Sequence, residues 1–233
     1  MSNTKSPAIA NRLLAALPKK DYQALHHQLE EVPLVFEEIL YQPYVLISDV
    51  YFPNSGVLSL LAGVNGRATL EVGLVAKEGM LGMSVFMGVN TSQNRVVVQG
   101  AGSAMRIKAT AFRKHCNDGG VLPRLLRRYS HSLTTQITQS ALCNQFHSVD
   151  ARLARWLLMT HDRMGNDEFQ LTQEFLSNML GVRREGVSRA AADLQKRNLI
   201  SYSRGRLRVI DRAGLEATSC GCYEIIKDEA DTT

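Results

Sequence analysis

The residues whose types and spacing could do chemistry in this chain are arginines, and the chemistry they suit is the recognition of nucleic acid. Between positions 183 and 212 stand nine Lys or Arg (183, 184, 189, 196, 197, 204, 206, 208 and 212) against three acids (185, 193 and 211). That local excess of six is larger than the +5 of the whole 233-residue chain, so basic character is concentrated in one short stretch, as phosphate binding requires. Arg184, Glu185, Ser188 and Arg189 fall within two helical turns. Arginine there can make bidentate contacts to guanine, and glutamate can accept from the cytosine amino group, so these four are expected to read bases. Thr172, Arg183, Arg204 and Arg206 are expected to contact phosphates and set register. A solvated basic face on any helical protein would carry the same charges; the surrounding residues decide between the two.

Phe175, Leu176, Met179 and Leu180 recur at the spacing that gives a helix one buried stripe, with Thr172 able to cap it and Glu174 favourably placed in its first turn. Gly181 can enter the left-handed conformation without a Cβ clash, closing one helix and opening another within about three residues. Val182, Val187, Ala190, Ala191 and Leu194 give the second helix an inward face opposite the charged one. Two short β-prone runs, LISYS and RLRVI, flank Arg204-Gly205 and predict a basic hairpin. Helix, glycine turn, second helix and hairpin together favour DNA over solvent as the partner of the arginines.

The rest of the chain reads as support. Residues 8–30 form two short amphipathic helices broken at Pro18, with His26 and His27 on the polar side. From residue 32 short β-prone runs alternate with turn signals, Pro53-Asn54-Ser55-Gly56 and Asn65-Gly66 among them, which predicts a β-sandwich or barrel. Residues 122–146 contain one proline, Pro123 in the first turn, and no glycine, and make one long helix. Leu126, Leu133, Ile137, Ala141 and Asn144, spaced by seven, four, four and three, approximate a coiled-coil seam and are expected to join two copies; the alternative is a helix packed only on its own domain. Ser148 or Asp150 is expected to cap a helix that carries the lone Trp156, with 166–168 as a loop after it. Residues 211–231 are expected to be a short helix and a solvated acidic tail with Glu224, Asp228, Glu229 and Asp231.

No apolar run approaches the ~20 residues of a membrane span, and the N-terminus shows no signal core, so a cytoplasmic protein without a membrane partner is expected. Cys116, Cys143, Cys220 and Cys222 are too scattered for a disulfide scaffold. Cys220-Gly-Cys222 lacks a second ligand pair at suitable spacing, so the reading is an incidental pair, with no metal and no cofactor. His115-Cys116 has no third partner in view. Without GxSxG, HExxH or a phosphate loop, an enzyme is not expected.

The stretch GVRREGVSRAAADLQKRNLISYSRGRLRV resembles the winged helix-turn-helix of the Crp/Fnr family of bacterial transcription regulators, through Arg184, Glu185, Val187 and Arg189 and through Leu199-Ile200 leading into the wing. The resemblance implies an α+β chain: an N-terminal double-stranded β-roll of the cyclic-nucleotide-binding type (1–120), a long dimerisation helix (121–147) and a C-terminal winged helix-turn-helix (148–233). It implies a homodimer on a pseudo-palindromic operator in double-stranded DNA, with RNA polymerase as a further partner. The family's usual inputs find little support. Met83 stands where a nucleotide-binding member has its ribose-binding glutamate, Val96 rather than Ser or Thr follows Arg95, and Ile137-Thr138 replaces the family's Thr-Ser ligand contacts. A thioether cannot accept strongly from a ribose hydroxyl, so cAMP is not expected; Met80, Met83 and Met87 suit core filling or a hydrophobic ligand. The N-terminal cysteine cluster of the Fnr branch is absent from the sequence. A competing reading makes the roll a small-molecule or redox sensor whose ligand site controls DNA binding; no polar ligand cluster is evident in residues 60–100.

Overall fold

The computed structural model describes residues 9–64, 67–117 and 119–232; the expected turn at Asn65-Gly66 and the first eight residues lie outside them. The break at Pro18 separates α1 (Arg12–Ala15) from α2 (Lys19–His26). Asn11 caps α1 by accepting from the Leu14 N–H, while its amide donates to the Pro53 and Gly79 carbonyls, each at 2.9 Å. The cap therefore also ties the helical arm to the β-layer.

Strands β1 (Glu30–Leu34), β2 (Ile39–Tyr41), β3 (Asp49–Pro53), β4 (Val57–Val64), β5 (Arg67–Val75), β6 (Arg95–Gly100) and β7 (Gly102–Lys108) form two antiparallel sheets, ordered β1-β7-β3 and β2-β6-β4-β5. The segment 95–108 is two strands, β6 and β7, that change sheets at Ala101. Backbones meet closely at this corner: a Cβ on Gly102 would lie 2.4 Å from the Ser55 carbonyl oxygen, and one on Gly56, whose φ is +82°, would lie 2.5 Å from that of Gly100. Val50, Phe52, Leu58, Val75, Val98 and Ile107 fill the space between the sheets, closed by Phe112 of α4 (Ala109–Asn117), and α3 (Met83–Phe86) lies in the β5–β6 connection.

The long helix is α5 (Val121–Phe146), about 39 Å at 1.5 Å per residue. Its first half belongs to the roll: Leu122, Leu126 and Tyr129 are buried in the roll's core. Leu126 is accordingly removed from the expected seam, because a side chain fully covered by its own chain has no surface left for a second copy. After His147, α6 (Val149–Met164) starts at the Ser148 cap, ends at Gly165 in the left-handed region and carries Trp156 into a second core with Leu61, Leu74 and Val97 of the roll. Next come β8 (Glu168–Gln170), α7 (Gln173–Leu180), α8 (Arg184–Lys196), β9 (Ile200–Ser203), β10 (Arg206–Val209), α9 (Arg212–Thr218) and α10 (Cys222–Asp231).

Two expectations are corrected here. Glu168, expected in a loop, begins β8, which pairs with β10 to give a three-stranded wing ordered β8-β10-β9. The expected acidic tail is α10, packed along α5: Cys222, Tyr223 and Ile226 are buried, Ser132 Oγ donates to the Glu229 carbonyl, and Arg12 pairs with Asp231 at 3.4 Å. Its charges lie on the solvent side of an amphipathic helix, with Ile225 exposed among them, and Cys222, Tyr223 and Ile226 on the buried side. Among the described residues no helix is long and apolar enough to cross a membrane.

Candidate nucleic-acid interface

Local chemistry builds the interface. Thr172 Oγ1 accepts from the Phe175 N–H at 3.0 Å and starts α7; Gly181, at φ 59° and ψ 36°, stops it and donates its N–H to the Ser177 carbonyl. Arg183 then sits in extended geometry as the first residue before α8 and makes no side-chain cap. Val187, Ala190, Ala191 and Leu194 are buried against the preceding helices, which turns the opposite side of α8 to solvent.

Each residue expected to contact DNA lies in this unit. Thr172, Arg183, Arg184, Glu185, Arg189, Arg204 and Arg206 lie at its surface, and Ser188 is buried only in part. The structure adds Gln173: its Oε1 accepts from Ser188 Oγ at 2.8 Å and from Arg184 Nε at 3.4 Å, so one amide on α7 orients two of the base-reading candidates on α8. Its position directly after a capping threonine was the only sequence signal for that role.

The wing is fixed to α8 as well as to itself. The Tyr202 N–H donates to Gln195 Oε1 and the Tyr202 hydroxyl to the Leu171 carbonyl, both at 2.8 Å. At its tip Arg204 (φ 50°) and Gly205 (φ 76°) both occupy the left-handed region, as a type I′ hairpin requires, and Arg204 and Arg206 project from the turn and its return strand. Arg206 stands 3.9 Å from Glu168 on β8, and both side chains are largely exposed. Arg212, by contrast, is engaged internally, with Asp162 at 2.6 Å and Glu216 at 3.0 Å, which hold its guanidinium charged. The basic surface is therefore narrower than the sequence count and centres on α8 and the wing.

This unit docks on the roll through buried polar contacts. The Trp156 indole N–H donates to Glu71 Oε1 at 2.9 Å, Arg163 pairs with Glu78 at 2.7 Å, and Gln99 donates to Thr160 Oγ1 at 2.8 Å while accepting from Ser59. Burial pushes the Glu71 carboxyl up to about 7, against the opposing pull of Ser59, Arg155 and Trp156. Phe36 of the roll meets Phe175 of α7 ring to ring at 6.1 Å between centroids.

Within the roll, a cavity beside α3 is lined mainly by apolar residues, among them Leu60, Val75, Met80 and Met83, and by Leu133 and Ile137 of α5. Arg95 does not line it; its Nε donates to Gln42. Of the remaining residues expected at the seam, Ala141 is exposed and Asn144 is half-buried, its amide nitrogen without a hydrogen-bond partner among the described residues.

Residues 151–218, spanning α6 to α9, match the Crp-like helix-turn-helix domain. No curated protein matches the sequence. Among solved structures, the chain is similar to FixK2 from Bradyrhizobium japonicum (TM-score 0.68, 16% identity, 82% of this chain and 98% of that chain covered). It is similar to the c-di-GMP responsive global regulator CLP of Xanthomonas campestris (TM-score 0.67, 15% identity, 82% and 99%). A third is TTHB099, a transcriptional regulator of the CRP family from Thermus thermophilus (TM-score 0.67, 17% identity, 81% and 96%). At these identities the likeness is one of fold.

Proposed function

We propose that the chain is a DNA-binding transcription regulator of the Crp/Fnr type that reads a pseudo-palindromic operator as a homodimer and does so without cAMP; the Crp-like helix-turn-helix and the fold support this reading. The observation that carries this reading is the solvent side of α8, where Arg184, Glu185 and Arg189 are exposed at the N-terminal end and Gln173 orients Arg184 and Ser188. Arg183, Thr172, Arg204 and Arg206 surround that end as phosphate contacts. Two copies related by a two-fold axis would present two such helices to half-sites about one helical turn apart. The surface that would join them is the second half of α5, where Ala141, Leu142 and Phe146 are exposed.

Met83 in the cavity wall, in place of a glutamate, and Arg95 turned to Gln42 support the reading without cAMP, although Ser84, Ser92 and Asn94 add polar groups to the wall. A second reading, in which a small molecule in the roll controls DNA binding, rests on the cavity wall being shared with Leu133 and Ile137 of α5; the molecule it suits is small and largely apolar. We read the protein as a cytoplasmic regulator rather than an enzyme, built as 1–120, 121–147 and 148–233, with the exposed Glu224 and Asp228 of α10 as a surface for RNA polymerase.

The test is a comparison of two substitutions on an operator obtained by sequence selection. Arg184→Ala should weaken binding to the selected operator by about 1–3 kcal/mol and relax its sequence preference, with little change on a scrambled duplex. Arg204→Ala should weaken both duplexes alike and lower the salt slope by about one. Equal losses on both duplexes for Arg184→Ala would remove base reading from α8.

A further inference from the structure

Apart from the basic surface, one set of side chains converges from distant parts of the chain. Cys143 lies in the last turn of α5, and His147, one helical turn on, closes that helix by donating its N–H to the Cys143 carbonyl at 3.1 Å. Cys220 and Cys222 lie in the turn from α9 into α10, where the Tyr223 N–H donates to the Cys220 carbonyl at 3.0 Å. One ligand atom from each of the four comes within 4.8 Å of all the others. Cys143 Sγ is 3.4 Å from Cys220 Sγ, and Cys222 Sγ is 3.7 Å from His147 Nδ1.

We propose that Cys143, His147, Cys220 and Cys222 form a binding site for a single zinc ion that fastens the end of α5 to the start of α10. Zinc bonds of about 2.3 Å to sulfur and about 2.0–2.1 Å to nitrogen, set tetrahedrally, separate ligands by roughly 3.8 Å for two sulfurs and roughly 3.6 Å for sulfur and nitrogen. The sulfur–sulfur contact is shorter than its edge by about 0.4 Å and the sulfur–nitrogen contact longer by about 0.1 Å, and the other ligand atoms lie within 4.8 Å, so small side-chain adjustments complete the polyhedron. An iron–sulfur cluster places more than one iron between its ligands and needs a wider cage. Three thiols and an imidazole are also the donor set that prefers zinc over magnesium or calcium.

The surroundings match the charge of the loaded site. Three thiolates and one Zn²⁺ leave one net negative charge, and any thiol still protonated gives its proton to solvent on loading. Arg152 and Arg155 of α6 are buried, and neither has a carboxylate within ion-pair distance among the described residues. Both act electrostatically on Cys143, and Arg155 also acts on Cys222; the Nε of each guanidinium lacks a hydrogen-bond partner. An anionic metal centre beside them would compensate these two buried cations, to which the buried Glu71 carboxyl adds only through Arg155.

The experiment uses the full chain purified under reducing conditions and needs no DNA, so its outcome is independent of the operator-reading proposal. Elemental analysis should find about one zinc per chain, and replacement by Co²⁺ should give the intense d–d bands of a tetrahedral ion with thiolate charge-transfer absorption. His147→Ala should lower zinc affinity at least about tenfold, His147→Cys should retain about one zinc, and Cys116→Ser, outside the cluster, should leave zinc content unchanged. The Co²⁺ spectrum of the unmodified protein decides the matter if a cysteine variant fails to fold. Fully reduced protein that binds neither Zn²⁺ nor Co²⁺, an octahedral Co²⁺ spectrum, or isolation with a Cys143–Cys220 disulfide and no metal would each overturn the proposal.

Discussion

Trp156→Ala should destabilise the folded chain by about 3–5 kcal/mol, the range for removing a large buried aromatic side chain. Trp156 is 2% exposed in the core that joins α6 to the roll. Truncation would open a cavity there and also remove the donor to Glu71 Oε1, leaving a buried carboxyl short of a partner. Trp156→Phe keeps most of the volume and loses only the N–H, so it should cost about 1–2 kcal/mol. Urea unfolding followed by far-ultraviolet circular dichroism separates the two, since the chain has a single tryptophan and its fluorescence disappears with it. A loss below about 1 kcal/mol for the alanine variant would mean that this core does not hold the two halves together.

The second large effect concerns pH. Desolvation is the largest influence on Glu71 and raises its carboxyl from the usual 4.5 to about 7. The folded chain then binds this proton more tightly than the unfolded chain, so the contribution to stability is fully present below about 4.5 and is lost as pH rises through about 7. At about 1.4 kcal/mol per pH unit, the whole span from 4.5 to about 7 is worth at most about 3.5 kcal/mol. The difference in unfolding free energy between the native chain and Glu71→Gln, measured from pH 5 to pH 8, isolates this group from other titrations. Glu71→Gln should be flatter over that range, because a neutral amide keeps an acceptor for the Trp156 indole and has no charge to bury. Parallel curves for the two proteins would place the Glu71 carboxyl in an ordinary, hydrated setting.

How much of this was legible in the sequence depended on how far apart the interacting residues lie. Thr172, Gly181 and Arg204-Gly205 act on their immediate neighbours through capping, a left-handed turn and a hairpin, so the winged unit could be read from about 40 residues. Strand β8 could not, because three residues become a strand only by pairing with β10, whose Arg206 and Arg208 lie about 40 positions away. Leu126 shows a different limit: heptad-like spacing shows that a helix face is covered, and says nothing about which body covers it. The spacing of Cys222, Tyr223 and Ile226 did hold a signal for a packed α10, masked by the acids between and after them. Cys143 and Cys220 are 77 positions apart, so the search for a local ligand pair beside Cys220-Gly-Cys222 had no means of finding His147 and Cys143.

The third strand of the wing has a thermodynamic consequence. When a free arginine binds DNA, the phosphate it neutralises releases a condensed cation, and each such contact steepens the salt dependence of log K by about 0.9. Arg206 is not free in that sense, because Glu168 on β8 stands beside it. Moving its guanidinium onto a phosphate leaves Glu168 to recruit a cation from solution, so part of the released ion is taken up again. If the wing contacts phosphates as proposed, a salt titration would register fewer contacts than it makes, and a chain lacking only the Glu168 carboxylate would show a steeper slope.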